Sequence, residues 1–221
     1  MDANDSQEYK NSWTIDRLAK EHGVDFRLVN LLGSGSIRGT LDVKNLALMI
    51  RNADYAVRGG FNGMVLRFRT PRASVIAYRS GKFIVIGAKS PTVSDLVIQK
   101  FQDILQKTGA PHELVSFKIH NFCAASDVKF RIRLEGLACE HAQFCTYEPE
   151  LFPGLIYRML VPKCTLLVFI SGKIVITGFQ KIEDGEQALC KIFPVLCTFR
   201  IQREECNSSS DCDDEDSEEA I

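Results

Sequence analysis

The 221 residues are 45% hydrophobic, enough for one large domain or two small ones around a sizeable core. Their formal charge of −1 hides an asymmetry: nine acids and no base follow from Glu204 onward, residues 1–26 hold six acids and three bases, and residues 27–203 hold 24 bases against 13 acids, a net of +11. A basic body with an acidic tail points to a nucleic-acid binder, while the lack of an apolar run near 18–20 residues and the polar start MDANDSQEYK argue against a membrane span or signal peptide.

The chain therefore reads as soluble and intracellular. Residues 1–26 look like a short polar lead-in, in which Trp13 has no evident role. Residues 28–37 look extended, and the run Gly33-Ser-Gly35-Ser-Ile-Arg-Gly39 imitates a phosphate-binding loop. Its spacing does not fit a dinucleotide fingerprint opening a helix, so strand flexibility is the better account. Thr40 is placed to cap a helix over LDVKNLALMIRNA, with Leu41, Leu46, Leu48, Met49 and Ile50 as its apolar residues. Three β-type runs follow, MVLRFRT, SVIAYRS and KFIVIGA, separated by Pro71 and the Ser80-Gly81 turn. A longer helix over roughly 92–108 carries Val93, Leu96, Val97, Phe101, Ile104 and Leu105 on one face. Residues 115–125 are again extended, and RLEGLACEH gives a weaker helix signal. In EDGEQALCKIFPVLCTFR, Pro194 is expected to kink the last helix or end it early. All eight cysteines lie in the second half, several inside apolar runs, and read as reduced, mostly buried thiols. The acidic end, 204–221, has the composition of a disordered tail that either solvates the chain or competes with DNA for the basic body.

The chain is an internal repeat. Residues 61–89 and 152–180 align without gaps at an offset of 91, with identities at Phe61/Phe152, Gly63/Gly154, Arg67/Arg158, Pro71/Pro162, Ser80/Ser171, Gly81/Gly172, Lys82/Lys173 and Gly87/Gly178. Asn30 and Asn121, and Lys100 and Lys191, fall at the same offset. A period near 90 residues is too long for a solenoid unit, so one small domain has been duplicated, over 27–112 and 113–203. Each copy reads strand, helix, several strands, helix. Two copies joined edge to edge give an α+β fold, a continuous curved antiparallel sheet of about ten strands with helices on one face.

The other face then needs a partner. Alternation puts Lys173, Val175 and Thr177 on one side of their strand, and Thr165, Leu167 and Phe169 on one side of theirs. Apolar residues with Asn, Thr and marginal cations suit a DNA minor groove. The same pattern also fits an ordinary sheet core covered by a further segment.

The stretch DVKFRIRLEGLACEHAQFCTYEPELFPGLIYRMLVPK, with SGKIVITG beyond it, closely resembles the core of the TATA-box-binding protein family. RNADY, SGKFIVIGAKS and FKIHNF match the corresponding blocks of the first repeat and linker, and the likeness runs from about Val29 to Arg200. It implies a pseudo-twofold saddle whose helices lie on the convex face and whose underside widens the minor groove and kinks the DNA at both ends. The family's intercalating wedges fall on Phe61 and Tyr78 in the first repeat and on Phe152 and Phe169 in the second. Groove contacts fall on Asn30, Leu32, Ile76, Ile84, Asn121, Leu167, Val175 and Thr177, and phosphate contacts on Arg67, Lys82, Arg158 and Lys173. Glu148, Glu150 and Leu151 match the stirrup offered to a transcription factor IIB-type partner. Transcription factor IIA and TBP-associated factors are the family's further partners, and the nucleus is its place of work. No cofactor is implied.

The departures cluster in the first repeat. Tyr78 stands where the family has phenylalanine, Ile86 where it has threonine, and AVRGGF carries one extra residue before the wedge. Gly33 and Cys123 alter the two long strands, and Asp95, Gln99 and Asp103 thin the basic face of the first long helix. These changes suit a diverged relative, a TBP-related factor. Two functions follow: a promoter-binding initiation factor, or an interaction paralogue that keeps the fold and stirrup, binds TATA weakly and acts through a dedicated partner. Neither the histidines (His22, His112, His120, His141) nor Glu148 and Glu150 form a recognised nucleophilic or acid–base arrangement, so no enzyme is expected. Cys139-x-His141-x3-Cys145 lacks a second pair of zinc ligands, so no metal is expected either.

Overall fold

The computed structural model describes residues 13–58 and 61–201, without the side chains of residues 56–61. The expected disordered tail and the first dozen residues lie outside it. Ten strands form one antiparallel sheet: β1 (Asp25–Ile37), β2 (Ala53–Arg58), β3 (Phe61–Phe68), β4 (Ala73–Tyr78), β5 (Lys82–Ile86), β6 (Leu114–Asp127), β7 (Cys145–Thr146), β8 (Gly154–Met159), β9 (Cys164–Phe169) and β10 (Lys173–Phe179). Five helices accompany them among the described residues: α1 (Ile15–His22), α2 (Val43–Met49), α3 (Pro91–Lys107), α4 (Leu134–Glu140) and α5 (Ile182–Thr198).

The strand order, β2-β3-β4-β5-β1-β6-β10-β9-β8-β7, is the same read outward from the β1–β6 seam in either direction. The duplication seen in the sequence is therefore a pseudo-twofold in the sheet, with the two longest strands paired at its centre. Each half has its own core. In the first, Leu46, Val97, Phe101 and Leu105 of the helices meet Met64, Val75, Phe83 and Val85 of the strands; in the second, Leu137, Leu189, Ile192 and Phe193 meet Leu155, Leu166, Ile174 and Ile176. Strand alternation buries every second residue against the helices and leaves the residues between them only partly buried. The symmetry extends to single bonds. Lys100 Nζ donates to the Thr70 carbonyl and Lys191 Nζ to the Val161 carbonyl, each just before a cis-proline, Pro71 or Pro162.

Several expectations need correction. The helix over Val43–Met49, α2, is capped by Asp42, whose carboxylate accepts from the Asn45 amide at 3.2 Å, and not by Thr40; a carboxylate two residues later reaches the open amides that Thr40 would have served. On α3, Leu96 is half exposed while Ile98 and Ser94 are buried, because the buried stripe is turned by about half a helical step from the one drawn in sequence. Pro194 does not end α5, which runs on to Thr198. Leu196 and Phe199 are buried in the second core, and that burial outweighs the local cost of proline.

Residues 15–22, read as part of a polar lead-in, form α1. Thr14 caps it and Gly23, at φ 64°, ends it. Trp13 packs edge-on to Phe193 at 5.2 Å and Arg17 lies over its indole at 4.7 Å, which gives that residue its role. Gly33 and Gly35 are not there for flexibility. A Cβ would lie 2.4 Å from the Phe117 ring at one and 2.5 Å from the Phe83 ring at the other, so both glycines make room for aromatic rings beneath β1. Of the described cysteines only Cys164 is buried, and Cys139 and Cys197 are exposed, so "mostly buried" was too strong.

Candidate nucleic-acid interface

The sheet face opposite the helices carries the side chains that alternate with the core. Leu32, Ile76, Ile84, Leu167 and Val175 are all partly exposed, although their neighbours Leu31, Val75, Val85, Leu166 and Ile174 are fully buried. No described segment covers them. The result is a long apolar floor formed from β4, β5, β1, β10 and β9.

Asn30 and Asn121 stand in the middle of this floor, one on each central strand. A register shift precedes Asn30, with Val29 as the extra residue, and another precedes Asn121, with His120 as the extra residue. The two bulged positions are 91 residues apart, so the irregularity is duplicated with the fold. Bulges re-aim the side chains beside them. Asn30 Oδ1 accepts from the Gly87 amide at 2.8 Å, and Asn121 Oδ1 accepts from the Gly178 amide at 2.9 Å. Both glycines have left-handed backbones, at φ 93° and 87°, which turn these amides toward the asparagines. With Oδ1 held by a backbone donor, the orientation of each amide is fixed and its NH2 donors are directed away from that bond.

Here the two halves diverge. Asn121 Nδ2 donates to Thr177 Oγ1 at 3.3 Å, and Thr177 Oγ1 lies 3.1 Å from Cys123 Sγ. The matching positions in the first half are Ile86 and Leu32, which carry no hydrogen-bonding group. One half of the centre is a small polar network, and the other is an asparagine in apolar surroundings.

At one end of the face Phe152 and Phe169 meet edge-on, with ring centroids 5.8 Å apart. Gly154 makes this possible, since a Cβ there would lie 2.7 Å from the Phe152 ring and 3.0 Å from the Phe169 ring. At the opposite end Tyr78 is partly buried and its backbone pairs with Gly63, as that of Phe169 pairs with Gly154. The side chain of Phe61 lies outside the described residues. Arg67, Lys82, Arg158 and Lys173 are all exposed, though Arg67 is engaged by the Asp54 carboxylate across β2 and β3. Beyond β7 a turn, closed by bonds from the Leu151 and Phe152 amides to the Glu148 carbonyl, leaves Leu151 81% exposed beside Glu148 and Glu150. On α3, Asp95, Gln99 and Asp103 all face outward.

Sequence reasoning missed several groups on this face. Ser34 Oγ lies 2.6 Å from His120 Nε2, and Ser36 Oγ 3.0 Å from Ser116 Oγ, both across the β1–β6 seam. More than 79 residues separate the members of each pair in sequence, so only knowledge of the register could join them. His120 thus has a serine beside it across the seam, and among the described residues no carboxylate bonds to its ring. At the β10 end the Lys129 amide bonds to Asp127, and with the Lys129 and Lys173 ammonium groups beside it the Asp127 carboxyl is held below its usual range. Burial pushes the Cys145 and Cys164 thiols up to about 11, which keeps them protonated and poorly nucleophilic near neutrality.

The family described as "Transcription factor TFIID (or TATA-binding protein, TBP)" matches the chain twice, at residues 25–108 and 116–199. TATA-box-binding protein 1 of Arabidopsis thaliana is 44% identical over 194 residues, covering 88% of this chain and 96% of that one. The TATA-box-binding protein of Saccharomyces cerevisiae is 46% identical over 178 residues, covering 80% of this chain and 74% of that one. Among solved structures, Methanococcus jannaschii TBP superposes with a TM-score of 0.69 at 34% identity, over 79% of this chain and 99% of that one. The chain belongs to the TATA-binding protein family.

Proposed function

We propose that this member of the TATA-binding protein family is a nuclear transcription initiation factor that binds AT-rich promoter DNA in the minor groove and bends it. One observation carries the reading: an uncovered apolar sheet face with a backbone-fixed asparagine in each half of its centre. The minor groove of A·T pairs offers acceptors and no donor, and the NH2 groups of Asn30 and Asn121 with the Thr177 hydroxyl supply donors. Leu32, Ile76, Ile84, Leu167 and Val175 lie against sugars and base edges. Phe152 and Phe169 enter between base steps at one end, as Phe61 and Tyr78 do at the other. Lys82, Lys173 and Arg158 meet phosphates, and Arg67 can join them by exchanging Asp54 for a phosphate. Specificity then comes from the cost of deforming each sequence together with a few groove contacts.

Glu148, Glu150 and Leu151 form the docking point for a transcription factor IIB-type protein. A leucine exposed to 81%, just after two glutamates in the chain, is unsatisfied in the isolated chain and suits a partner with a small apolar pocket and basic rim. Asp95, Gln99 and Asp103, facing outward on α3, disfavour contacts there to a transcription factor IIA-type protein and to repressors that use that helix, while TBP-associated factors are further partners of this reading.

A second reading is favoured by Ile86. With Ile86 at the position that matches Thr177, half of the groove centre lacks that hydroxyl donor, as expected of a paralogue that binds TATA weakly and relies on a partner. Gel-shift titrations of TATA, TC-rich and random duplexes, with and without a IIB-type factor, separate the two. The first reading requires TATA preference by the chain alone. Binding that appears only with the partner, or with no preference among the three duplexes, supports the second.

A further inference from the structure

The last described residues are tied to the loop that leads into α4. The Ile201 amide donates to the Arg131 carbonyl at 2.9 Å, the Arg133 amide donates to the Phe199 carbonyl at 2.9 Å, and Arg200 bridges Ile132 in antiparallel register. Residues 199–201 thus run backward along 133–131. This loop is basic. Lys129, Arg131 and Arg200, all exposed, line a cavity of about 980 Å3 together with Phe130, Ser171 and Ile201. The Arg200 guanidinium sits 5.5 Å over the Phe130 ring. Among the described residues Asp127 is the one acid lining the cavity, and the Lys129 amide and ammonium already engage its carboxylate at 2.9 and 3.3 Å. A neighbouring cavity shares Asp127, Lys129 and Ser171 and opens onto the sheet face beside Phe169 and Lys173, with Asp25 and Arg27 on its far side.

The chain enters this basic site and continues with acid. The antiparallel course of 199–201 along 133–131 heads toward Lys129, and Glu204 follows Ile201 by only three positions. From position 202 to the end there are nine acids against Arg203 alone. We propose that the acidic segment 204–221 docks in this Lys129–Arg131–Arg200 cavity and reaches over Lys173 at the edge of the apolar face. A tethered segment faces its site at an effective concentration near the millimolar range, so weak charge pairing suffices. The contact itself does not depend on the DNA reading; its consequence does. Non-specific duplex binding is driven by phosphate charge, and the segment competes with it for the same cations. A specific site, which adds wedge and groove contacts, displaces the segment.

The test uses the full chain, a second full chain with the nine acids from Glu204 to Glu219 changed to Gln or Asn, and a third carrying Arg131→Gln and Arg200→Gln. Amide hydrogen exchange is first followed without DNA at low salt. The account expects protection over Asp127–Arg133 in the native chain, reduced about tenfold by either change and by added salt. Equal exchange in the native and acid-neutralised chains, or a salt-sensitive footprint elsewhere, such as Lys100–Lys107 of α3, overturns the proposal. Random duplex is then titrated at low salt, where the acid-neutralised chain should bind about tenfold more tightly than the native one. Unchanged duplex affinity alongside a changed footprint overturns the competition. A footprint that behaves as expected in a chain that binds no duplex in either form upholds the contact and instead removes the DNA reading.

Discussion

At the scale of single residues, the two central asparagines show how a duplicated sequence becomes a duplicated site, and where the copy has drifted. Both are held by a glycine amide in the left-handed region, at 2.8 and 2.9 Å, so both present donors in a fixed direction. Asn121 has Thr177 beside it and Asn30 has Ile86. Replacing Thr177 by Val removes a hydroxyl from a nearly unchanged shape and should weaken TATA binding by roughly tenfold, near the 1–2 kcal/mol of one hydrogen bond. Ile86→Thr should act in the opposite direction and recover part of that loss in the double variant, as read by equilibrium titration of a TATA duplex. Equal affinities for all four chains would mean that these side chains do not face the bases. The asparagines were legible as a pair at the 91-residue offset and Thr177 by strand alternation, while their roles and the departure at Ile86 came from the resemblance to the family. The Ser34–His120 and Ser36–Ser116 pairs were not, because bulges shift the register of β1 against β6 by amounts that no alternation pattern reveals.

At the scale of elements, periodicity located the long strands and helices, and tertiary packing decided their ends. Proline in α5 was expected to kink the helix or end it early; it does not end it, and the burial of Leu196 and Phe199 carries the helix to Thr198. The short edge strands β2 and β7 have no strong pattern of their own and form because β3 and β8 offer them a partner. The helix α1 was hidden for a related reason. Among its residues only Leu18 is fully buried, so its sequence reads as polar, and part of its packing comes from a residue that precedes it. That residue is Trp13, whose ring lies 5.3 Å from His22 at the end of α1 and 5.2 Å from Phe193 of α5. Trp13→Ala should therefore cost about 2 kcal/mol, below the range for a fully buried tryptophan, and lower the urea midpoint of unfolding. DNA affinity should be unchanged, since α1 packs on the helical side of the sheet. Loss of DNA binding at a temperature where the variant is folded would place α1 in the interface and contradict this.

At the scale of the whole molecule, ten strands in one sheet, helices packed on one side of it and a pseudo-twofold at the β1–β6 seam leave one large face for function. The net charge of −1 is the sum of a basic body and an acidic end, and only the body lies within the family match. The central claim is that this face grips and bends the minor groove, with Phe152 and Phe169 as one wedge. The most direct measurement is the end-to-end distance of a doubly labelled TATA duplex, by fluorescence energy transfer, on binding the native chain, Phe152→Ala and Phe169→Ala. The account predicts a sharp shortening with the native chain, and a clear loss of both shortening and affinity in each variant. Full bending and unchanged affinity in both variants would contradict it.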